Sequence, residues 1–304
     1  KIGYFPPKRI SPFHPIVRDF LRMLAPSVFG LAIYQINALV TQTYFASKFG
    51  EGGISQMNYA FRLIQFPLGV VGVALASASF PRVAQYIAQN RESDATKTLS
   101  DVVKYLMLLI IPSAVGLIVL GPDIIRLLFN YGYFRQMNWL NPTNQVLTAY
   151  CAGLFFYTVV KVLVQAFQAH HDFRTPVITG SITVSLNILL CALFVWGGWP
   201  LWSLAVASSI ASASQTLMLT WLLHRKMRTL AVLPLLSFLV RVLIACTGMA
   251  LVCLMLREYL PLMGDSKFFE MIRVGLGIGL GIAAYFGIGW FLFQKELQSV
   301  LRLK

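Results

Sequence analysis

Charge is scarce in this chain, and negative charge most of all. Asp, Glu, Lys and Arg make up 12% of its 304 residues, about half the share usual in soluble domains. The 11 acids stand against 25 Lys and Arg, a formal net charge of +14. Cysteine is sparse too. Cys151, Cys191, Cys246 and Cys253 all fall in apolar runs without C-x-x-C spacing. That excludes a disulfide scaffold and a thiolate metal site, and leaves packing thiols. His14, His170, His171 and His224 sit in loops or at segment edges, and no nucleophilic or hydrolytic constellation accompanies them. An enzyme, a metal and a cofactor are therefore not expected. What abounds is apolar: 57% hydrophobic residues, 22 Phe and 6 Trp, with a mean hydropathy of +0.70. In a soluble protein the basic excess would point to nucleic acid. On this background it points instead to a polytopic membrane protein with its cations in cytoplasmic loops.

A helix needs about 20 apolar residues to cross a hydrocarbon core of about 30 Å. Eight segments qualify, at 23–47, 54–80, 101–120, 145–168, 174–196, 201–223, 237–256 and 271–293. The expected fold is all-α, an eight-helix membrane bundle. With the N-terminus inside, seventeen of the 25 basic residues fall in cytoplasmic segments and six outside, so both termini are predicted cytoplasmic. Trp196, Trp199 and Trp202 around the Gly197-Gly198 turn suit an interfacial aromatic belt. Residues 82–99 read as a polar cytoplasmic loop, and Gly121-Pro122-Asp123 as the start of a short outer helix.

Two cations remain inside spans, Arg62 and Lys161. Arg62 lies about 12 Å into the second span, where a charge costs about 2.5 to more than 10 kcal/mol. Gln65 extends its face one turn on, and Pro67 then weakens the helix. Two readings fit Arg62: an arginine snorkelling to the outer interface, or a cavity cation for an anionic substrate. Lys161 divides in the same way between snorkelling and substrate contact. In the first span Tyr34, Gln35, Asn37, Thr41, Gln42 and Tyr44 share half the helix circumference, as helix–helix glue or as a wet face. Thr183 and Asn187 suit interhelical hydrogen bonding, and Ser208/Ser212, Gly275/Gly279 and Gly277/Gly281 suit close packing. None of the acids falls within a predicted span interior, so no proton or cation relay is apparent.

Three stretches carry a family resemblance. The first runs from Leu24-Ala25-Pro26 through Gln35-Ile36-Asn37 to Phe45-Ala46-Ser47. The second joins Tyr59-Ala60-Phe61-Arg62-Leu63, Phe66-Pro67-Leu68-Gly69-Val70 and Phe80-Pro81. The third joins Val159-Val160-Lys161-Val162-Leu163 to Phe167-Gln168-Ala169 and Asp172-Phe173-Arg174-Thr175-Pro176. Together they resemble the MurJ (MviN) lipid II flippase family, within the superfamily that includes multidrug and polysaccharide exporters. The resemblance implies fourteen helices in two lobes, of which this chain looks like the C-terminal eight. That would explain a chain opening on Lys1 without an initiator Met.

On that resemblance, residues 1–22 would be a cytoplasmic linker, 23–223 the second transport lobe, and 224–304 two further helices forming a groove for a lipid tail. Arg62 would engage the pyrophosphate of lipid II, joined by Lys161, Gln65, Asn37 and Gln35, with Arg241 near the groove's cytoplasmic mouth. The implied setting is the bacterial inner membrane. The implied partners are lipid II and membrane lipids, with no nucleic acid, and a monomer is expected. Gln65, Phe61 and Gln168 depart from the family pattern. The first and fifth spans lack the carboxylates of a sodium site, which argues against sodium coupling. Rival readings are a flippase for another polyprenyl-linked oligosaccharide and a non-transporting envelope-assembly scaffold.

Overall fold

The computed structural model describes residues 32–227, 232–259 and 267–294, and every element among them is helical. The order is α1 (32–49), α2 (Gly53–Ala88), α3 (Glu92–Phe129), α4 (Gly132–Gln136), α5 (Leu140–Ala169), α6 (Arg174–Trp196), α7 (Trp202–Met227), α8 (Val232–Tyr259) and α9 (Lys267–Leu292). Seven of these, α2, α3 and α5 to α9, are long and apolar enough to cross a membrane. They cover the second to eighth expected spans to within one residue at each end. The first span and the linker before it lie partly or wholly outside the described residues.

Two expectations fail at helix boundaries. Residues 82–99 are not a loop: α2 continues to Ala88 and α3 starts at Glu92, so only a tight turn interrupts helix. Nor does Gly121-Pro122 start a new helix, because α3 runs unbroken for 38 residues through Pro112 and Pro122. Composition misled here. A proline removes one backbone donor, yet the helix continues when neighbouring groups satisfy the carbonyl it frees. At Pro112 that carbonyl belongs to Leu108, and the Tyr285 hydroxyl of α9 donates to it at 2.8 Å. Pro67 is instead followed by a π-helical stretch, Leu68–Val73, and α1 has another at Val40–Phe45.

The core divides in two. The larger cluster joins α1, α2, α3, α5 and α7 around Ile64, Leu106, Leu147, Leu154 and Phe167. α5 is its axis. Small residues let α7 press against it, and a Cβ at Gly153 would collide with Ser209, whose hydroxyl donates to Ala149 O at 3.0 Å. The second cluster joins α3, α8 and α9 around Met107, Leu120, Phe238, Val242 and Tyr285. α3 is therefore the wall shared by both.

Of the glycine pairs in α9, Gly277 and Gly281 do pack, against Leu120 and Cys253, whereas Gly275 and Gly279 face open space. All four cysteines are buried and unpaired.

Contacts sort the helix ends. At one end Tyr133 OH donates to Glu51 Oε2 at 3.3 Å, and Trp139 packs on Gly52, whose φ of +96° suits a residue without a Cβ. At the opposite end Asp172 bridges to Lys226 at 3.2 Å. This is the alternation expected of successive membrane-crossing helices.

Candidate functional site

A cavity of about 500 Å³ opens between α1, α2, α5, α6 and α7. α1 contributes Tyr34, Asn37, Thr41 and Gln42, and α2 contributes Phe61 and Leu68. Tyr150, Tyr157, Lys161 and Gln168 come from α5, Thr183 and Asn187 from α6, and Ser208, Ser212 and Gln215 from α7. The wall is thus apolar with amide and hydroxyl groups at intervals. Among the lining residues Lys161 is the only Lys or Arg, and none is Asp or Glu. The ammonium is half-buried, and no carboxylate among the described residues pairs with it.

One side of the cavity is held by a polar cross-link. Asn187 of α6 donates to Asn37 Oδ1 and to Thr41 Oγ1 of α1, both at 2.8 Å. The polar half-face of α1 is therefore both glue and cavity wall. Thr183 does not reach another helix; its hydroxyl donates to Thr179 O within α6. Ser208 and Ser212 face the cavity, while Ser209 makes the close contact with α5.

Arg62 lies elsewhere. Phe61 lines the cavity, but Arg62, the next residue and so about 100° around the helix, does not. It is exposed together with Gln65, Phe66, Gly69 and Val70 along one face of α2, and no acid among the described residues pairs with it. Gln35 is likewise exposed and outside the cavity. The six sequence candidates therefore separate into four places. Lys161 and Asn37 share the cavity, Arg62 and Gln65 share the open face of α2, and Gln35 is exposed on α1. Arg241 is remote from all of them, with its guanidinium donating to Leu292 O at 3.1 Å and stacking over Phe238, tying α8 to the end of α9.

The sequence reading missed Asp123. The extension of α3 carries it into the helix, where it is buried between Arg273 at 3.3 Å and Arg257 at 3.5 Å. It also missed the latch at the other end. Asp172 accepts from the Thr175 amide at 3.1 Å, the Thr175 hydroxyl at 2.9 Å and Lys226. Burial pushes the Asp172 pKa up, but these three donors outweigh it and hold the carboxyl below its ordinary value.

Comparison with known proteins places this geometry in a family. A profile of the lipid II flippase MurJ family matches residues 2–292. A probable lipid II flippase MurJ from Rhizobium meliloti (strain 1021) is 28% identical over 99% of this chain and 56% of its own length. One from Buchnera aphidicola subsp. Schizaphis graminum is 30% identical over 83% of this chain and 48% of its own. The chain thus spans about half the length of the curated relatives it matches. Among solved structures, a lipid II flippase MurJ in an inward closed conformation superposes with a TM-score of 0.72 at 25% identity, covering 94% of this chain and 57% of that one. An outward-facing multidrug-resistance MATE transporter shares the fold with a TM-score of 0.59 at 13% identity. The chain belongs to the MurJ lipid II flippase family and is a multi-pass, all-α membrane protein.

Proposed function

We propose that this chain forms one lobe and the C-terminal helix pair of a flippase that carries lipid II across the bacterial inner membrane for cell-wall synthesis. The observation that carries the reading is the unpaired Arg62 on the exposed face of α2, within a chain matched almost end to end by the family profile. A guanidinium held at membrane depth without a carboxylate is poised for an anion, and pyrophosphate accepts its forked N–H groups in charge-assisted hydrogen bonds. Gln65, one turn on, adds a neutral donor on the same face. The exposed flank of α2 is where a second lobe would complete the central cavity, and two lobes rocking about it would give alternating access.

In this reading Lys161 acts from within the lobe. Its ammonium is the sole charge among the described residues that line the intralobe cavity, and it raises the potential felt by an anion near α1 and α2. The Asn187 cross-link sets where α1 stands against that cavity. The lobe would correspond to residues 23–223 and the accessory pair to 224–304. The separate core of α8 and α9 on α3 supports that division. Arg241 would serve the pair as an internal tie rather than as a ligand of the pyrophosphate.

The test is Arg62→Ala in the full-length protein, assayed in cells depleted of their own lipid II flippase. The variant is expected to reach normal membrane levels and fail to restore growth. Full restoration would overturn the role given to Arg62.

A further inference from the structure

The seam between α3 and α9 is fastened at an unusual place. Pro112 has no N–H, so the carbonyl of Leu108, four residues earlier, loses its helical partner. The next carbonyl is occupied, since Ser113 Oγ donates to Leu109 O at 2.6 Å. The Tyr285 hydroxyl fills the gap at Leu108 O from 177 positions away in sequence, at 2.8 Å. Tyr285 is 2% exposed. Its ring is held by Phe293, the residue just past the end of α9, with centroids 6.0 Å apart, and Phe293 in turn meets Phe238 of α8 at 5.9 Å. Leu108 is 1% exposed, and a bare carbonyl in an apolar core is costly.

The register along the seam is antiparallel and consistent. Leu108 meets Tyr285, Leu120 packs on Gly277, and Asp123 pairs with Arg273. The Tyr285 bond is the one cross-helix contact in this series that repairs a defect in the backbone of α3.

We propose that Tyr285 is a positioning residue that seats the C-terminal helix pair on the carbonyl that Pro112 leaves free in α3, so that one hydrogen bond sets both the course of α3 past Pro112 and the place of α8 and α9. The pair is then not a passive appendage. Hinging of α3 at Pro112 would move the carbonyl that Tyr285 holds, and the pair would move with it.

A double-mutant cycle on the full chain tests this. Pro112→Ala returns an amide N–H to the helix and satisfies Leu108 O from within α3. Tyr285→Phe removes the outside donor and keeps the ring. With Pro112 present, Tyr285→Phe is expected to lower the thermal midpoint in detergent by about 2–6 °C. It should also broaden the distance distribution between spin labels at the exposed positions Lys97 and Leu128, which flank Pro112 and lie about 46 Å apart along a straight helix. In the Pro112→Ala background, Tyr285→Phe should leave both readouts nearly unchanged. Equal effects in both backgrounds would reduce Tyr285 to ordinary packing and overturn the proposal, as would no effect with Pro112 present. Should Tyr285→Phe alone fail to fold, the double variant must recover a folded protein; failure to recover it also overturns the proposal.

Discussion

Replacing Asp123 by Asn probes a buried charge that composition alone would place in a loop. The carboxylate lies 3.3 Å from the Arg273 guanidinium and 3.5 Å from that of Arg257. At an effective dielectric of about 20, a pair 3.3 Å apart gains about 5 kcal/mol of attraction. Desolvation offsets part of this, and removing one partner of a buried pair costs about 3–5 kcal/mol because the other charge is stranded. Asp123 and Arg273 side chains are 8% and 15% exposed, whereas Arg257 is 39% exposed. The loss should therefore fall mostly on Arg273, and Asp123→Asn should cost about 2–4 kcal/mol. Arg257→Ala, the wetter arm, should cost less than about 1 kcal/mol.

Thermal unfolding in detergent reads the difference. The Asp123→Asn midpoint should fall by about 5–10 °C, and Asp123→Leu combined with Arg273→Met should regain more than half of the loss. The reasoning fails if Asp123→Asn is no more damaging than Arg257→Ala, or if the double substitution adds the two single losses.

Asn187→Leu breaks both 2.8 Å bonds to α1 and should destabilise by about 1–3 kcal/mol, given about 0.6 and at most about 1.7 kcal/mol per interhelical bond in membranes. A thermal cycle with Asn37→Ala should be clearly non-additive, and strict additivity would mean that the bonds carry no coupling. Asp172→Asn should cost less than about 1 kcal/mol near neutral pH, because the amide oxygen still accepts from the Thr175 amide and only the partly exposed Lys226 pair is lost. The folded-state pKa of Asp172 is lowered, so its contribution is complete above the ordinary carboxylate range near pH 4 and disappears as pH falls through the lower folded value. The gap between variant and wild-type midpoints should therefore close only below about pH 4. Closure between pH 5 and 7 would assign the latch to a histidine instead.

The membrane-crossing segments were readable because lipid demands continuous apolarity, a property of each segment alone. Helix ends were not. Gly121-Pro122 has the composition of a helix start, and what carries α3 past it is packing, not sequence. Asp123 read as a helix start because its partners, Arg257 and Arg273, lie far along the chain on helices whose docking no local pattern reports. At the site, residue types were legible and grouping was not. Arg62 and Lys161 stood out as costly charges, but periodicity says which residues share a face and not which helix covers it. Phe61 and Arg62 are neighbours in sequence and fall on opposite sides of that question. The π-helical stretches of α1 and α2 compound this, since each breaks the 3.6-residue phase from which a helical wheel is drawn.

α3 has a further consequence by virtue of its length. Its 38 residues extend about 57 Å, well beyond a hydrocarbon core of about 30 Å. Pro112 divides it into arms of about 30 Å and 25 Å. A helix of that length, with one backbone hydrogen bond missing at Pro112, has the geometry of a lever pivoted there. A change of about 10° at the fulcrum swings the shorter tip by about 4 Å, roughly the width of a methylene chain. Asp123, with Arg257 and Arg273 attached, rides on that arm, so a small change of direction at Pro112 would reach the far end of the helix as a displacement of several ångströms.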